Sequence, residues 1–328
     1  MYAVVGFAPV SDKTTVQHPD EWLSHMRRGD WESAWRISDR ICCARLGRQP
    51  RDTTGRWLPR HLQWVWDGRP LAGERILIRC HHGLGDTVQF IRFAPLVKRS
   101  VRHVTVLAQA QLLPLLETVP GIDALLRLDD GPQDGRYEVA IEVMELAHAL
   151  RVTPAMLPAT IPYIHVNDKT CGPVYRTQPH VGLVWQSGSW DSRRSIPVQL
   201  MQELTQLDDI RFQILQRGPA LASWSGSGAE VPPIANILEE AATLRSLDLL
   251  ICVDTLSAHL AGALGVRTWT LLPAQADWRW MEGREDTPWY PTMRLFRQTR
   301  ADDWESVMER VTTELASHVA VGSFARNS

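Results

Sequence analysis

Two runs of alternating strand and helix signals occupy most of this 328-residue chain, and they constrain its fold more than any other feature. They lie at about residues 74–143 and 181–272. In each run, short segments rich in Val, Ile and Leu are followed by a turn and then by residues with helical periodicity. This order is typical of a parallel sheet that is covered by helices. The sequence therefore predicts an α/β fold with two such sheets.

A proline-rich segment at residues 151–179 separates the two runs. Its prolines are Pro154, Pro158, Pro162, Pro173 and Pro179. Because proline interrupts both helices and central strands, the segment is typical of a domain boundary. We predict one Rossmann-like domain over residues 73–165 and a second over residues 175–320, facing each other across a cleft. Ligands of such doubly wound domains bind beyond the carboxyl ends of the strands, so the candidate site residues are those that directly follow the strands.

The N-terminal region, residues 1–72, has a different pattern. Apolar residues recur at helical spacing on both sides of a break at Gly29 and Asp30, which predicts a helical hairpin over residues 19–46. The pair resembles one tetratricopeptide-like unit. One such unit cannot bury its own apolar face, so we expect it to pack on the main body or on a partner. Residues 47–72 are a predicted linker with one short strand near residues 62–66.

Composition narrows the classes of partner and location. A formal net charge of -2 provides no electrostatic reason to bind nucleic acid, and contact with a membrane would be peripheral at most. No segment approaches the roughly 18 apolar residues of a membrane span, and residues 1–17 lack a signal-peptide pattern, so we expect a cytoplasmic protein. The five cysteines are scattered, as is typical of reduced thiols. Cys80, His81 and His82 are adjacent, which is poor geometry for a zinc site, and we expect no metal there.

The first candidate motif is the glycine-containing turn at residues 82–87, which follows the first predicted strand. Gly83 and Gly85 allow the backbone to turn tightly and a ligand to approach. The turn is not a dinucleotide-binding fingerprint, because Val88 stands where the third glycine would be. Asp86 is either a general base, which takes the proton of an acceptor hydroxyl, or a residue that caps the following helix. The spacing leaves both interpretations open.

The second candidate motif follows a buried strand of the second run. Asp254, Thr255 and Ser257 crowd the start of a predicted helix. The exposed N–H groups of a helix start, together with its positive dipole end, favour anions such as a diphosphate, and the two hydroxyls can add donors. The same residues are also those of an ordinary helix cap. Both interpretations remain open here as well.

Two further polar segments follow strands of the second run. Arg193 and Arg194 lie in a loop at residues 185–197, and Arg217 follows Gln216 at the next strand end. Paired guanidinium donors can neutralise the charge of a departing diphosphate. Each arginine is otherwise a solvated surface residue. Because each segment follows a predicted strand, the four motifs should point into one cleft.

Taken together, the segments 83–92, 193–197 and 253–265 resemble glycosyltransferase family 9, the heptosyltransferase-like group with the GT-B fold. The likeness runs from about residue 74 to the C-terminus and is strongest to members with tetratricopeptide repeats ahead of the transferase. It implies two facing Rossmann-like domains and inverting transfer of a sugar, without a metal or other cofactor. The donor would be a nucleotide-diphosphate sugar, often ADP-heptose in this family. The acceptor would be a glycan, a lipid-linked molecule or a protein.

The resemblance also implies roles for individual residues. Asp86 stands at the position of the catalytic base, and Arg194 stands where heptosyltransferases usually have Lys. The run from Asp254 to His259 matches the Asp-Thr-x-x-x-His pattern of the donor site. The candidate donor-binding residues are Trp185, Ser187, Arg193, Gln216, Arg217, Asp254, Thr255, Ser257, Ala258 and His259. The candidate acceptor-side residues are Gly83, Gly85, Gln89 and Arg92.

Two positions depart from the family pattern. Leu256 replaces the glycine that often follows Asp-Thr, and Ala220 lies where an acidic residue would contact the nucleotide ribose. These departures support an alternative, in which the chain is a catalytically inactive module that binds a nucleotide-sugar or a protein partner. An enzyme of related fold, such as a nucleotide-sugar epimerase, is a further alternative.

Overall fold

The computed structural model describes residues 18–46, 66, 68–71, 73–130, 137–157, 160–166, 178–188 and 191–322. In these residues, two parallel β-sheets are each covered by helices, and an N-terminal helical hairpin packs beside them. The short strand that we predict near residues 62–66 lies outside the described residues, apart from Trp66, which is not in a strand.

The N-terminal sheet has four parallel strands in the order β3-β2-β1-β4. The strands are β1 (Arg75–Arg79), β2 (His103–Ala108), β3 (Ala124–Arg127) and β4 (Val139–Glu142). The hairpin consists of α1 (His18–Arg27) and α2 (Trp31–Leu46), and the helices of the first sheet are α3 (Leu84–Phe90), α4 (Ala94–Lys98), α5 (Leu113–Leu116) and α6 (Leu146–Ala149). The sequence predicts one helix over residues 87–98, but a 3₁₀ turn at Ile91–Phe93 divides it. The physical reason is Pro95, which has no N–H for an α-helical hydrogen bond.

The C-terminal sheet has six parallel strands in the order β10-β9-β8-β5-β6-β7. They are β5 (His180–Val184), β6 (Arg211–Ile214), β7 (Ala229–Glu230), β8 (Leu249–Val253), β9 (Thr268–Leu272) and β10 (Met293–Arg297). The covering helices are α7 (Val198–Leu204), α8 (Ile237–Ser246), α9 (Leu256–Leu264) and α10 (Trp304–Ala320). The sequence did not predict the edge strands β7 and β10, because β7 is only two residues long and arginines interrupt the apolar run of β10.

Two hydrophobic clusters form the core. The larger one runs through the N-terminal sheet, the hairpin and the inner face of the C-terminal sheet without interruption. The second lies on the outer face of the C-terminal sheet, under α7 and α10. Apolar packing therefore joins the two sheets and the hairpin into one body.

The predicted hairpin is confirmed, and it packs on the main body. Trp31 is only 1% exposed. The ring of Trp22 lies edge-on to that of Trp278, with 5.6 Å between their centroids, and the indole N–H of Trp35 donates to the carbonyl of Val152 at 2.7 Å. The hairpin thus buries its apolar face, as a single helical pair must. Its likeness to a tetratricopeptide unit stays a prediction.

Candidate active site

The turn after β1 brings Asp86 to the carboxyl edge of the N-terminal sheet. Asp86 is the third residue of α3, and its Oδ2 accepts a hydrogen bond from the N–H of Gly83 at 3.0 Å. Gln109 fixes the same turn, because its amide donates to the carbonyl of His82 at 2.7 Å. Asp86 therefore caps α3, as one of the two interpretations of its spacing predicts. Its side chain is 24% exposed, so a ligand can still reach it.

The other carboxylate oxygen of Asp86 binds a cation from the C-terminal domain. Nη2 of Arg279 donates to Oδ1 of Asp86 at 2.5 Å. Arg279 also donates to Asp277 at 2.7 Å and to the side-chain oxygen of Gln89 at 2.8 Å. The sequence did not predict this partner. Arg279 lies in the 3₁₀ turn Trp278–Trp280, in the loop after β9, where the sequence analysis singled out no motif.

Arg279 remains charged in this position. Burial by itself would lower the pKa of its guanidinium, but the nearby carboxylates of Asp277 and Asp86 outweigh this effect and hold the pKa above its usual range. The guanidinium also lies over the rings of Phe90 and Trp278, at 5.3 and 4.9 Å from their centroids. Asp86 thus faces a permanent positive charge across the domain boundary.

The start of α9 forms the facing side of the site. Thr255 is the N-cap, and its hydroxyl accepts the N–H of Ser257 at 3.0 Å. Asp254, directly before the cap, lies between two side chains: Nη1 of Arg194 is 3.4 Å from its Oδ2, and Nε2 of His259 is 3.5 Å from its Oδ1. The cap geometry is therefore present, and it does not prevent the helix end from attracting an anion.

Asp254 is a buried carboxylate that stays ionised. Burial alone would raise its pKa, but the hydrogen bond and charge of His259, together with the charge of Arg194, lower the pKa to about 2. Arg194 also donates to the backbone carbonyl of Asp254 at 3.0 Å. Asp254 therefore holds the cation Arg194 next to the α9 N-terminus.

The structure separates the two adjacent arginines of the loop after β5. Arg194 is 9% exposed and lies against Asp254, whereas Arg193 points outward and pairs with Asp191 at 2.9 Å. Gln216 fixes the start of the loop, since its side-chain oxygen accepts the backbone N–H groups of Trp185 at 3.1 Å and of residue 186 at 2.8 Å. Only Arg194 is therefore aimed at the α9 side of the site.

The remaining candidate residues occupy different environments. Gln89 and Arg92 are buried, and Arg92 donates to the carbonyl of Trp289 at 2.6 Å. Both bind protein groups beneath the turn. On the donor side, the buried residues are Trp185, Ser187, Gln216 and Ala258, and the exposed one is Arg217.

The two halves of the site meet where α3 packs on α9. A Cβ atom at Gly85 would lie 2.7 Å from Cδ2 of His259, so only glycine permits this approach. His259 is itself held by Tyr290, whose hydroxyl lies 3.0 Å from Nδ1, and by Trp280, whose ring stacks at 5.5 Å. The structure therefore brings the Asp86 turn and the Asp254–His259 segment together.

A buried glutamate beside the α9 N-terminus is a further residue that the sequence did not predict. Glu240 of α8 is 4% exposed, and its Oε1 accepts the hydroxyl of Ser257 at 2.8 Å. Burial raises the pKa of Glu240, and the bond from Ser257 and the charge of Arg217 only partly oppose this. The sequence analysis did not identify Glu240, because this residue of α8 belongs to none of the motifs that follow the strands.

Within the described residues, no group of three or more His, Cys, Asp or Glu side chains is arranged to hold a metal ion. The same part of the chain contains no helix with the length and apolar character needed to cross a membrane.

Comparison with known proteins identifies the architecture. The structure is similar to that of ADP-heptose lps heptosyltransferase II of E. coli, with a TM-score of 0.56 and 12% sequence identity, covering 76% of this chain and 99% of that one. The chain has the GT-B fold. It is also similar to a glycosyl transferase family 9 structure from Veillonella parvula, with a TM-score of 0.49 and 14% identity over 74% of this chain and 90% of the other.

Among curated sequences, this chain is 24% identical to protein FlbA of Caulobacter vibrioides over 296 residues. The match covers 78% of this chain, and the chain spans about half the length of that relative, 48%. No model of a known protein family matches the chain.

Proposed function

We propose that this chain is an inverting, metal-independent glycosyltransferase, which moves a sugar from a nucleotide-diphosphate sugar to an acceptor hydroxyl. The observation that carries the proposal is that helix α3, which contains Asp86, packs on α9 across the domain boundary. On one side is the partly exposed carboxylate of Asp86, and on the other are Arg194 and the N-terminus of α9. ADP-heptose is the first donor to test. The acceptor is a glycan, a lipid-linked molecule or a protein.

The proposed reaction needs a base and a cationic site for the leaving group. Asp86 accepts the acceptor's proton while the oxygen attacks the anomeric carbon opposite the diphosphate. The transition state has oxocarbenium character, and negative charge grows on the departing diphosphate. Arg194 and the positive end of α9 stabilise that charge, which is the role that a divalent cation has in other phosphate chemistry.

The Asp86 base is tested by substitution. A single general base contributes about 10²–10⁴-fold to a rate, so Asp86→Asn should reduce turnover by roughly that factor. Donor binding should persist, because Asp86 lies on the acceptor side. Turnover is measured with a panel of nucleotide-sugars and acceptors, and binding is measured by the shift in melting temperature. Full activity in the variant would show that Asp86 is only a cap.

The donor site is tested by ligand-dependent stability. A ligand that binds only the folded protein adds about 2.7 kcal/mol at 100 times its Kd, so ADP or its sugar conjugate should raise the melting temperature. Arg194→Met should abolish most of this rise, since it removes the buried cation beside α9. Arg300→Met, on an 82% exposed side chain, is the matched control and should retain it. Equal ligand shifts in both variants would remove Arg194 from the site.

A second candidate function has one specific observation in its favour. Because Arg279 already occupies one oxygen of Asp86, the fold also fits a module that binds a nucleotide-sugar and lacks turnover. Leu256 and Ala220, which depart from the family pattern, are consistent with this. Donor binding without transfer or hydrolysis would favour the module, whereas product formation would favour the enzyme.

A further inference from the structure

The helical hairpin packs directly on the segment that carries Arg279, residues 277–282. Trp22 and Trp31 both contact the ring of Trp278, with centroids 5.6 and 6.4 Å away. The backbone N–H of Glu282 donates to the carbonyl of Arg27, in the last turn of α1, at 2.9 Å. The segment is thus held by aromatic packing against the hairpin and by a hydrogen bond that it donates to the hairpin.

The hairpin also binds the N-terminal domain. Asp39 of α2 lies 2.9 Å from Nε2 of His148 and 2.8 Å from Nη2 of Arg151. Trp35 adds its hydrogen bond to the carbonyl of Val152. The hairpin therefore holds the 277–282 segment at a defined place relative to the domain that contains Asp86.

Arg279 contacts α3 at three residues. It donates to Asp86 and to Gln89, and its guanidinium lies over the ring of Phe90. Asp277 accepts from a third nitrogen and fixes the guanidinium plane. A guanidinium held at three nitrogens has one orientation, so its position determines where Oδ1 of Asp86 can lie.

We infer that Arg279 is a positioning residue for Asp86, and that the hairpin sets its place through residues 277–282. The inference rests on the proposed role of Asp86 as the base. Oδ2 is held by Gly83 and Oδ1 by Arg279, which together fix the carboxylate plane and leave its remaining lone pairs for an acceptor hydroxyl. The hairpin is consequently part of the site and not an independent module.

The test uses the carboxyl carbon NMR resonance of Asp86 in the full chain without substrate, assigned by its loss in Asp86→Asn. Arg279→Met should shift this resonance, and Arg279→Lys, which keeps the charge, should restore most of the change. Trp22→Ala should also shift it, because Trp22 contacts Trp278. Trp22→Phe serves the same purpose if the alanine variant does not fold.

The matched control is Glu32→Gln, at an exposed residue of the same hairpin, which should leave the resonance in place. An unchanged resonance in Arg279→Met, or equal effects of the Trp22 and Glu32 variants, would overturn the inference. The measurement needs no turnover, so its failure is distinguishable from failure of the proposed reaction. A shifted resonance in a chain that transfers no sugar would support the positioning and contradict the proposed function.

Discussion

Asp254 is a buried residue whose ionised state depends on its neighbours. It is 5% exposed, yet Arg194 and His259 favour the carboxylate so strongly that the pKa falls to about 2. A buried charge without such partners would be neutralised. The contacts of Asp254 with Arg194 and His259 therefore contribute to the stability of the fold.

This arrangement predicts a dependence of stability on pH. The pKa of Asp254 is about 2 in the folded chain, below the ordinary 3.8, so its contribution is present above about pH 4 and is lost as pH falls through about 2. A difference of this size corresponds to about 2 kcal/mol in the free energy of unfolding. Urea unfolding at several pH values should show this loss in the native chain. In Asp254→Asn the loss should be smaller by about that amount.

Asp208→Asn, at an exposed carboxylate, is the control for these unfolding measurements. Its free energy of unfolding should depend on pH as that of the native chain does. If the Asp254 and Asp208 variants behave alike, the low pKa of Asp254 does not contribute to stability.

At the scale of elements, the hairpin contributes buried side chains to the larger hydrophobic cluster. Helices as short as α1 and α2 are marginal alone in water and depend on tertiary packing. Here Trp31 packs against Trp289 at 5.2 Å and against Trp278 at 6.4 Å between ring centroids. The aromatic surface of Trp278 and Trp289 thus covers the apolar face of α2, as a neighbouring repeat does in a helical repeat protein.

We predict that Trp31→Ala destabilises the whole chain. Removing a fully buried tryptophan side chain costs about 3–5 kcal/mol, since the lost transfer free energy is joined by that of the cavity. Denaturant unfolding should show this loss in the free energy of unfolding. Leu238→Ala, at a side chain that is 39% exposed, should change it by less than about 0.5 kcal/mol. A Trp31 variant as stable as the native chain would mean that the hairpin is not part of the core.

On the scale of the whole molecule, the larger hydrophobic cluster crosses the domain boundary. Hydrogen bonds accompany it: the N–H of Tyr163 donates to the carbonyl of Ala263 at 3.1 Å, and Arg92 donates to the carbonyl of Trp289. An apolar interface of this kind couples the domains, whereas a small polar one lets them move independently.

A single cooperative unfolding transition is the expected consequence. Tryptophan fluorescence and far-ultraviolet circular dichroism should report coincident midpoints in urea, because no sheet can lose its structure without exposing the shared cluster. Two separated transitions would show that the domains unfold independently and that the shared cluster contributes little.

Much of the architecture was predictable, since strand and helix signals are local. The buried strand β8, the hairpin and both sheets follow from periodicity over a few residues. Predictions were wrong where one residue interrupts a period, as Pro95 does between α3 and α4, or where an edge strand such as β10 has no continuous apolar run.

The sequence by itself determined which side chains follow the strands, and so placed Asp86, Arg194 and Asp254 at the same edges of their sheets. Only the tertiary structure decided how they are paired. Arg279 is 193 positions from Asp86, and no local pattern records such a contact, because it arises from packing of α3, α9 and the hairpin. Short-range periodicity reports which face of an element is buried, whereas the partner of a buried charge depends on how distant elements meet.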